Sequence, residues 1–413
     1  MNRVLLLALV VAAVFASGHA LGAETASEPV ARGDRLMQQA RDRVGHDFAE
    51  AEKAYREALE SDADDPQARL GMAWVRNSQH RFADGEKWAK RALEVDPNLQ
   101  QAHALIGDGA VELGDYEKAF DHYQKALDLR TDLGTLGRAA QLLWLTGKPE
   151  RGRELMERAA AMGGPYPENA AWCLAELANM QRLAGDIAAA ERSAEHGMRL
   201  APKNPRVLVA MGAVRANQKR YAEAIECYER SVEIEPTHPA LASLVDLYTL
   251  IGKPERAREW SGKVRAFHGA HDHSHGHSHS HGAHGHGSHE LAKFLADQDL
   301  RIHDALHEAE HAYEAFPNVK SADALAWCAF KAGKLELARR MMTKALERKT
   351  PDPEFHYHAG RIAAASGQHA EASDHLDRAL ELNPNFHPIH AEIAREELDR
   401  LKSLPAAKSG REK

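Results

Sequence analysis

Cysteine is scarce in this sequence. Cys173, Cys227 and Cys328 are three among 413 residues, far apart, odd in number and without a C-x-x-C pair. That spacing speaks against both a disulfide framework and a cysteine zinc site. A bond between Cys173 and Cys227, in neighbouring segments of the pattern described below, stays open beside the reading of buried thiols. Aromatic residues are only 6 % of the chain, and no long basic run offsets the net charge of −8. Nucleic acid is therefore not expected as a partner, because a polyanion requires a basic footprint. The chain also lacks a phosphate-binding glycine loop, G-x-S-x-G, H-E-x-x-H and any strand pattern to carry them. Asp64-Asp65 and Glu396-Glu397 are acidic pairs at a unit junction and in the tail, where charge is simply solvated. No enzyme and no catalytic residue are predicted.

Long hydrophobic runs are missing after the first residues. Arg3 supplies a short positive segment, and Val4 to Ala16 is an apolar stretch of 13 residues. A membrane-spanning helix needs about 20. Small residues follow at Gly18-His19-Ala20 and Leu21-Gly22-Ala23. Residues 1–23 thus read as a cleaved secretory signal, with a retained anchor as the alternative, and no cysteine follows to accept a lipid. The mature chain is expected in the periplasm or secreted, without stable membrane insertion.

What the chain has is a period. Leu113-Gly114-Asp115-Tyr116-Glu117-Lys118-Ala119 is followed by Tyr123 and Ala126. With Gly114 as position 15 of a 34-residue unit, Gly107 is 8, Tyr116 is 17, Ala119 is 20, Tyr123 is 24 and Ala126 is 27. The frame recurs at Gly212, Tyr221, Ala224, Tyr228 and Pro236, and again at Gly360, Gly367, Ala372, Ala379 and Pro384. Glycine or alanine at 8 and 20 lets two antiparallel helices touch. Aromatics at 17 and 24 fill the seam to the next unit, and proline near 32 ends the second helix. Weaker copies follow, and a near-identical turn occurs twice, at Gly147–Arg151 and Gly252–Arg256.

These residues resemble the tetratricopeptide-repeat family. The resemblance implies an all-α, right-handed superhelical solenoid of about ten helix-turn-helix repeats, interrupted by a disordered His-rich loop. The expected layout is an N-terminal array over 24–267, the loop over 268–289 and a C-terminal array over 290–386. A capping helix and a disordered tail follow over 387–413. In this family the first helix of each pair lines a concave groove, and positions 2, 5, 9, 12 and 13 face a bound peptide. That frame implies a protein or peptide partner held by Trp74, Trp144, Trp172, Trp327 and Tyr357, with Asn179 and Arg182 nearby. Core packing of the tryptophans is the alternative. A carboxylate clamp of lysines and asparagines is disfavoured, because Asn179 is the only asparagine at position 9 and Arg206 and Lys320 are scattered.

Between the seventh and eighth units the period breaks. Ten of the 22 residues from His268 to His289 are histidine: His268, His271, His273, His275, His277, His279, His281, His284, His286 and His289. The rest are almost all Gly, Ser and Ala, which build no core. Imidazole suits Zn²⁺, Ni²⁺ and Cu²⁺, and such a chain wraps about four nitrogens round one ion. Composition here resembles the His-rich loops of zinc transporters, periplasmic zinc-binding proteins and nickel chaperones, so Zn²⁺ or Ni²⁺ is the expected cofactor. His303, His307 and His311 recur every four residues and share one helical face, as a second metal station or as a solvated stripe. His356, His358, His387 and His390 carry little ligand signal in the sequence. Three functional readings stand: an extracytoplasmic interaction scaffold with a divalent-metal loop, a plain envelope-assembly scaffold, and a metal-storage protein or metallochaperone.

Overall fold

The computed structural model describes residues 27–41, 48–164, 167–273 and 289–404. Among them are twenty-one helices and no strand. The first three pairs are α1 (Glu28–Arg41) with α2 (Ala49–Ser61), α3 (Pro66–Ser78) with α4 (Phe82–Val95), and α5 (Gln100–Glu112) with α6 (Tyr116–Leu129). Then come α7 (Leu133–Leu145) with α8 (Pro149–Ala161), and α9 (Pro167–Leu183) with α10 (Ile187–Leu200). Units six and seven are α11 (Pro205–Asn217) with α12 (Tyr221–Ile234), and α13 (His238–Leu250) with α14 (Pro254–His273). The last three are α15 (His289–Asp297) with α16 (Ile302–Ala315), α17 (Val319–Lys331) with α18 (Leu335–Leu346), and α19 (Pro353–Ala365) with α20 (His369–Leu382). Helix α21 (His390–Ser403) follows.

Local chemistry sets the boundaries. Asp65, Asn204 and Asp352 cap α3, α11 and α19 by accepting backbone N–H groups, and each is followed by proline at the first helical position. Gly114, Gly147, Gly185, Gly252, Gly333 and Gly367 end the first helix of their pairs at φ between +70° and +79°, a conformation that favours glycine. Inside a pair, a Cβ on Gly107 would lie 2.4 Å from the Tyr123 ring, so only glycine admits that aromatic. Burial of alanine, leucine and aromatic side chains along both helices then holds each pair to the next.

The array closes on itself. Six units on from α5, the loop before α17 reaches the end of α5: Asn318 Nδ2 donates to the Glu112 carbonyl over 3.1 Å. One unit further, Thr350 Oγ1 donates to the Leu145 carbonyl at 2.6 Å. A third step puts Asn383 Nδ2 on the Arg182 carbonyl at 2.7 Å. The acceptors belong to the last turns of α5, α7 and α9, where helices leave carbonyls short of internal partners, and the Arg182 carbonyl takes the Gly185 N–H at 3.0 Å as well. The same loops press on the adjoining glycine turns. Added Cβ atoms on Gly114, Gly147 and Gly185 would meet the carbonyls of Pro317, Arg348 and Leu382 at 2.4, 2.8 and 2.5 Å.

The structure redraws one expected boundary. Helix α14 runs to His273, so His268, His271 and His273 lie on a helix rather than in a loop, and His289 opens α15. His275, His277, His279, His281, His284 and His286 lie outside the described residues, as do residues 1–23 and 405–413. All three cysteines are free thiols. Among the described residues no helix is long and apolar enough to cross a membrane.

Candidate functional site

First helices line the interior, and the closed winding leaves them little of it. A cavity of about 310 Å³ remains between α9, α11, α13, α15, α17 and α19, with residues 385–388 of the last loop against it. Its apolar wall includes Val209, Ala213, Phe294 and Phe355. The polar wall is unbalanced. Asp246, Glu290, Asp297, Asp323, Asp352 and Glu354 are six carboxylates facing three fixed cations, Arg182, Lys293 and Lys320.

The charges form one network. Lys293 Nζ donates to Glu354 Oε2 at 2.6 Å, and Trp327 Nε1 donates to Asp297 Oδ1 at 2.7 Å. His358 Nδ1 is 2.8 Å from Asp323 Oδ1. His387 Nε2 is 3.2 Å from Asp246 Oδ2. His390 sits between two acids, with Nε2 3.7 Å from Asp297 Oδ1 and Nδ1 3.7 Å from Glu354 Oε1. The His387 and His390 rings stack at 4.0 Å and 16°, because a two-residue turn returns the chain into α21. Burial works against charge on Lys293, but Glu354, Asp297 and Asp323 outweigh it and hold the ammonium above its usual range. Burial also opposes charge on His387, yet Asp246 and Glu354 raise it. Burial and the neighbouring His387 push His390 down to about 3. Burial raises the Asp297 carboxyl.

The structure corrects the expected partner-binding residues. Trp74, Trp144, Trp172 and Trp327 are 2, 6, 4 and 2 % exposed and Tyr357 is 1 % exposed, so none is an exposed anchor. The tight winding packs neighbouring first helices edge to edge and turns these rings into core. Trp172 lies on Gly137 and Trp327 stacks on His358 at 4.2 Å. Asn179 and Arg182 do line the cavity, and Arg182 Nη2 donates to Asn179 Oδ1 at 2.9 Å.

The predicted metal residues divide. His268 Nε2 lies 2.9 Å from His238 Nδ1, both rings buried. His289 and Glu290 line the cavity together with His238, and burial lowers His238 and His289 to about 4. His289 therefore stands at this cavity, and His268 reaches it through His238. His303, His307 and His311 lie on the exposed face of α16, with His307 Nε2 and His311 Nε2 3.2 Å apart. The sequence reading passed over Glu354 and gave His387 and His390 little ligand signal, since the three come from α19, the last loop and the start of α21 without periodic spacing. Each offers one ligand atom within 4.8 Å of the others. Only the break in the repeat at Asn385-Phe386-His387-Pro388 marked the region.

Family models find the same repeat in the chain. Tetratricopeptide-repeat models match residues 45–108, 100–132, 205–238 and 324–385. Protein adenylyltransferase fic-1 of Caenorhabditis briggsae is 36 % identical over 62 residues, 15 % of this chain and 12 % of that protein. The match thus spans about an eighth of the relative's length. Pseudomonas aeruginosa pilF is similar at 17 % identity over 56 % of this chain and 97 % of its own, with TM-score 0.41. Human IFIT1 bound to PPP-AAAA is similar at 17 % identity over 85 % of this chain and 81 % of its own, with TM-score 0.47. These likenesses carry no reading of what is bound. Ten helix pairs among the described residues, the glycine turns and four matching repeat models make this chain a tetratricopeptide-repeat protein.

Proposed function

We propose that the chain is an extracytoplasmic protein-interaction scaffold whose His-rich segment binds divalent metal, Zn²⁺ or Ni²⁺, rather than an enzyme. The observation that carries the metal part is the placement of His268 and His289. His238 and His268 touch, and His289 and Glu290 line the same acidic cavity. His289 lines a wall with surplus negative charge and His268 meets that wall through His238, a setting that favours cations. Export rests on the apolar stretch Val4 to Ala16 and the small residues up to Ala23. Partner proteins meet the outer surface and the rims of the closed solenoid, because the tryptophans are core.

Calorimetric titration with Zn²⁺ and Ni²⁺ tests the metal reading. The full-length protein is compared with a variant in which the eight histidines from His271 to His286 are replaced by serine. Micromolar or tighter binding by the natural protein, with at least one ion lost in the variant, supports the segment as a metal site. Identical isotherms for the two proteins reject it.

A further inference from the structure

We propose that Glu354, His387 and His390 form a second, interior divalent-metal site, independent of the His-rich segment. Three observations converge on it. The three side chains present ligand atoms within 4.8 Å of one another. His390 is 6 % exposed, and its Nδ1 is buried with no hydrogen-bond partner while facing Glu354 Oε1 at 3.7 Å. A buried polar atom without a partner is uncommon and calls for an explanation such as an ion. Finally, the wall holds six carboxylates against three fixed cations, so one divalent ion moves it toward neutrality.

Ligand assignment follows from the neighbours. Asp246 stands 3.2 Å from His387 Nε2, and Asp297 stands 3.7 Å from His390 Nε2. Metal-bound histidines commonly donate their other ring N–H to a carboxylate, which fixes the tautomer. Both Nδ1 atoms are then directed to the ion. His387 Nδ1 now takes the N–H groups of Ile389 and His390, each at 3.2 Å, and exchanges these long contacts for the metal. Lys293 keeps Glu354 Oε2 at 2.6 Å, which leaves Oε1 as the carboxylate ligand.

Loading requires movement. Ligands at about 2.0–2.1 Å in tetrahedral geometry lie about 3.4 Å apart, so the widest pair closes by as much as about 1.4 Å. The stacked imidazoles must also splay, because their lone pairs lie in nearly parallel planes. Two imidazoles, one carboxylate and an open position suit Zn²⁺ or Co²⁺. The site is thus a two-histidine, one-carboxylate centre roofed by the last loop of the solenoid.

The test uses the full chain carrying serine at the eight positions from His271 to His286, which removes the competing segment. Zn²⁺ is followed by calorimetry and Co²⁺ by its visible absorption. The expected result is one ion per chain and Co²⁺ bands that Zn²⁺ displaces. Glu354→Gln and His390→Gln should each weaken binding at least about tenfold, with an unchanged circular-dichroism spectrum confirming the fold. His307→Ser with His311→Ser, on the exposed face of α16, should leave the ion in place. Absence of sub-millimolar binding in this background overturns the proposal. So does binding that survives both Glu354→Gln and His390→Gln, or that vanishes with His307→Ser and His311→Ser. Because the segment is already silenced, failure here leaves the reading of the His-rich segment untouched, and the reverse holds as well.

Discussion

Asn318 Nδ2 donates to the main-chain carbonyl of Glu112 although 206 residues separate the two. Thr350 and Leu145, then Asn383 and Arg182, repeat the relationship at later units. Open repeat arrays contact only their nearest neighbours. Here a second tier of contacts ties units three, four and five to the loops six units on. Tyr116 adds to the first of them, accepting the Val319 N–H at 3.0 Å on its hydroxyl oxygen.

Removing a clip side chain strands the Glu112 or the Leu145 carbonyl, or leaves the Arg182 carbonyl with only the Gly185 N–H at 3.0 Å. Asn318→Ala, Thr350→Val and Asn383→Ala should each lower stability by about 1–3 kcal/mol, measured by denaturant unfolding. Tyr116→Phe should speed amide exchange at Val319 while exchange in α1 to α3 stays as it was. Unchanged exchange at Val319 would count against the seam.

Glycine turns provide an internal control. Gly114 and Gly333 share nearly the same φ, +73° and +74°, yet only Gly114 meets a facing backbone atom, Pro317 O, at 2.4 Å from an added Cβ. Gly333→Ala therefore carries the strain of a left-handed alanine, about 1–2 kcal/mol. Gly114→Ala adds a clash with backbone and should cost more and expand the particle in small-angle scattering. Equal losses in the two variants would show that the facing loop yields without resistance.

Between α5 and α7 lies a buried ion pair. Arg138 Nε donates to Asp108 Oδ1 at 2.8 Å, and Tyr123 Oη donates to the same oxygen at 2.8 Å. Arg138→Met strands a buried carboxylate and should cost about 3–5 kcal/mol. Pairing it with Asp108→Leu should recover much of that loss, since the penalty lies in the unpaired charge. A double variant as unstable as the single one would reject this account.

Glu112 makes the seam sensitive to pH. Burial raises its carboxyl to about 8, with Lys320 drawing it partly back. The folded state thus keeps a proton that the unfolded chain releases near pH 4.5. Stability falls as pH rises from about 4.5 to about 8 and levels off above. Glu112→Gln should flatten this slope, so thermal melts at pH 5 and pH 8 will differ less than in the natural protein.

The helix pairs were legible because their determinants are local. Gly107 beside Tyr123 and the turn at Gly147 act within one unit, and the 34-residue frame records them, whereas Asp65, read as solvated charge, caps α3. The seam left no separable mark. Gly114 is required by its own turn, so its second duty against Pro317 is invisible in one sequence. Asn318 likewise caps α17 through Oδ1 while its Nδ2 crosses to Glu112. The tryptophans were misplaced for the same reason: how tightly a solenoid winds depends on small rotations summed over units. Trp144 and Trp327 change from lining to core when the bore narrows. His387 and His390 meet Glu354 only because the chain breaks its period before α21.

The six-unit offset of the clips carries a consequence for length. In an open array a unit added or lost merely lengthens or shortens the rod. Here, deleting one pair between Arg130 and Phe316 would bring Glu112 opposite the loop of Thr350 instead of Asn318, and every later clip would meet a mismatched counterpart. The number of units in that stretch is therefore locked like the tooth count of meshed gears. New sequence can accumulate without penalty only outside that stretch, at the two ends of the array.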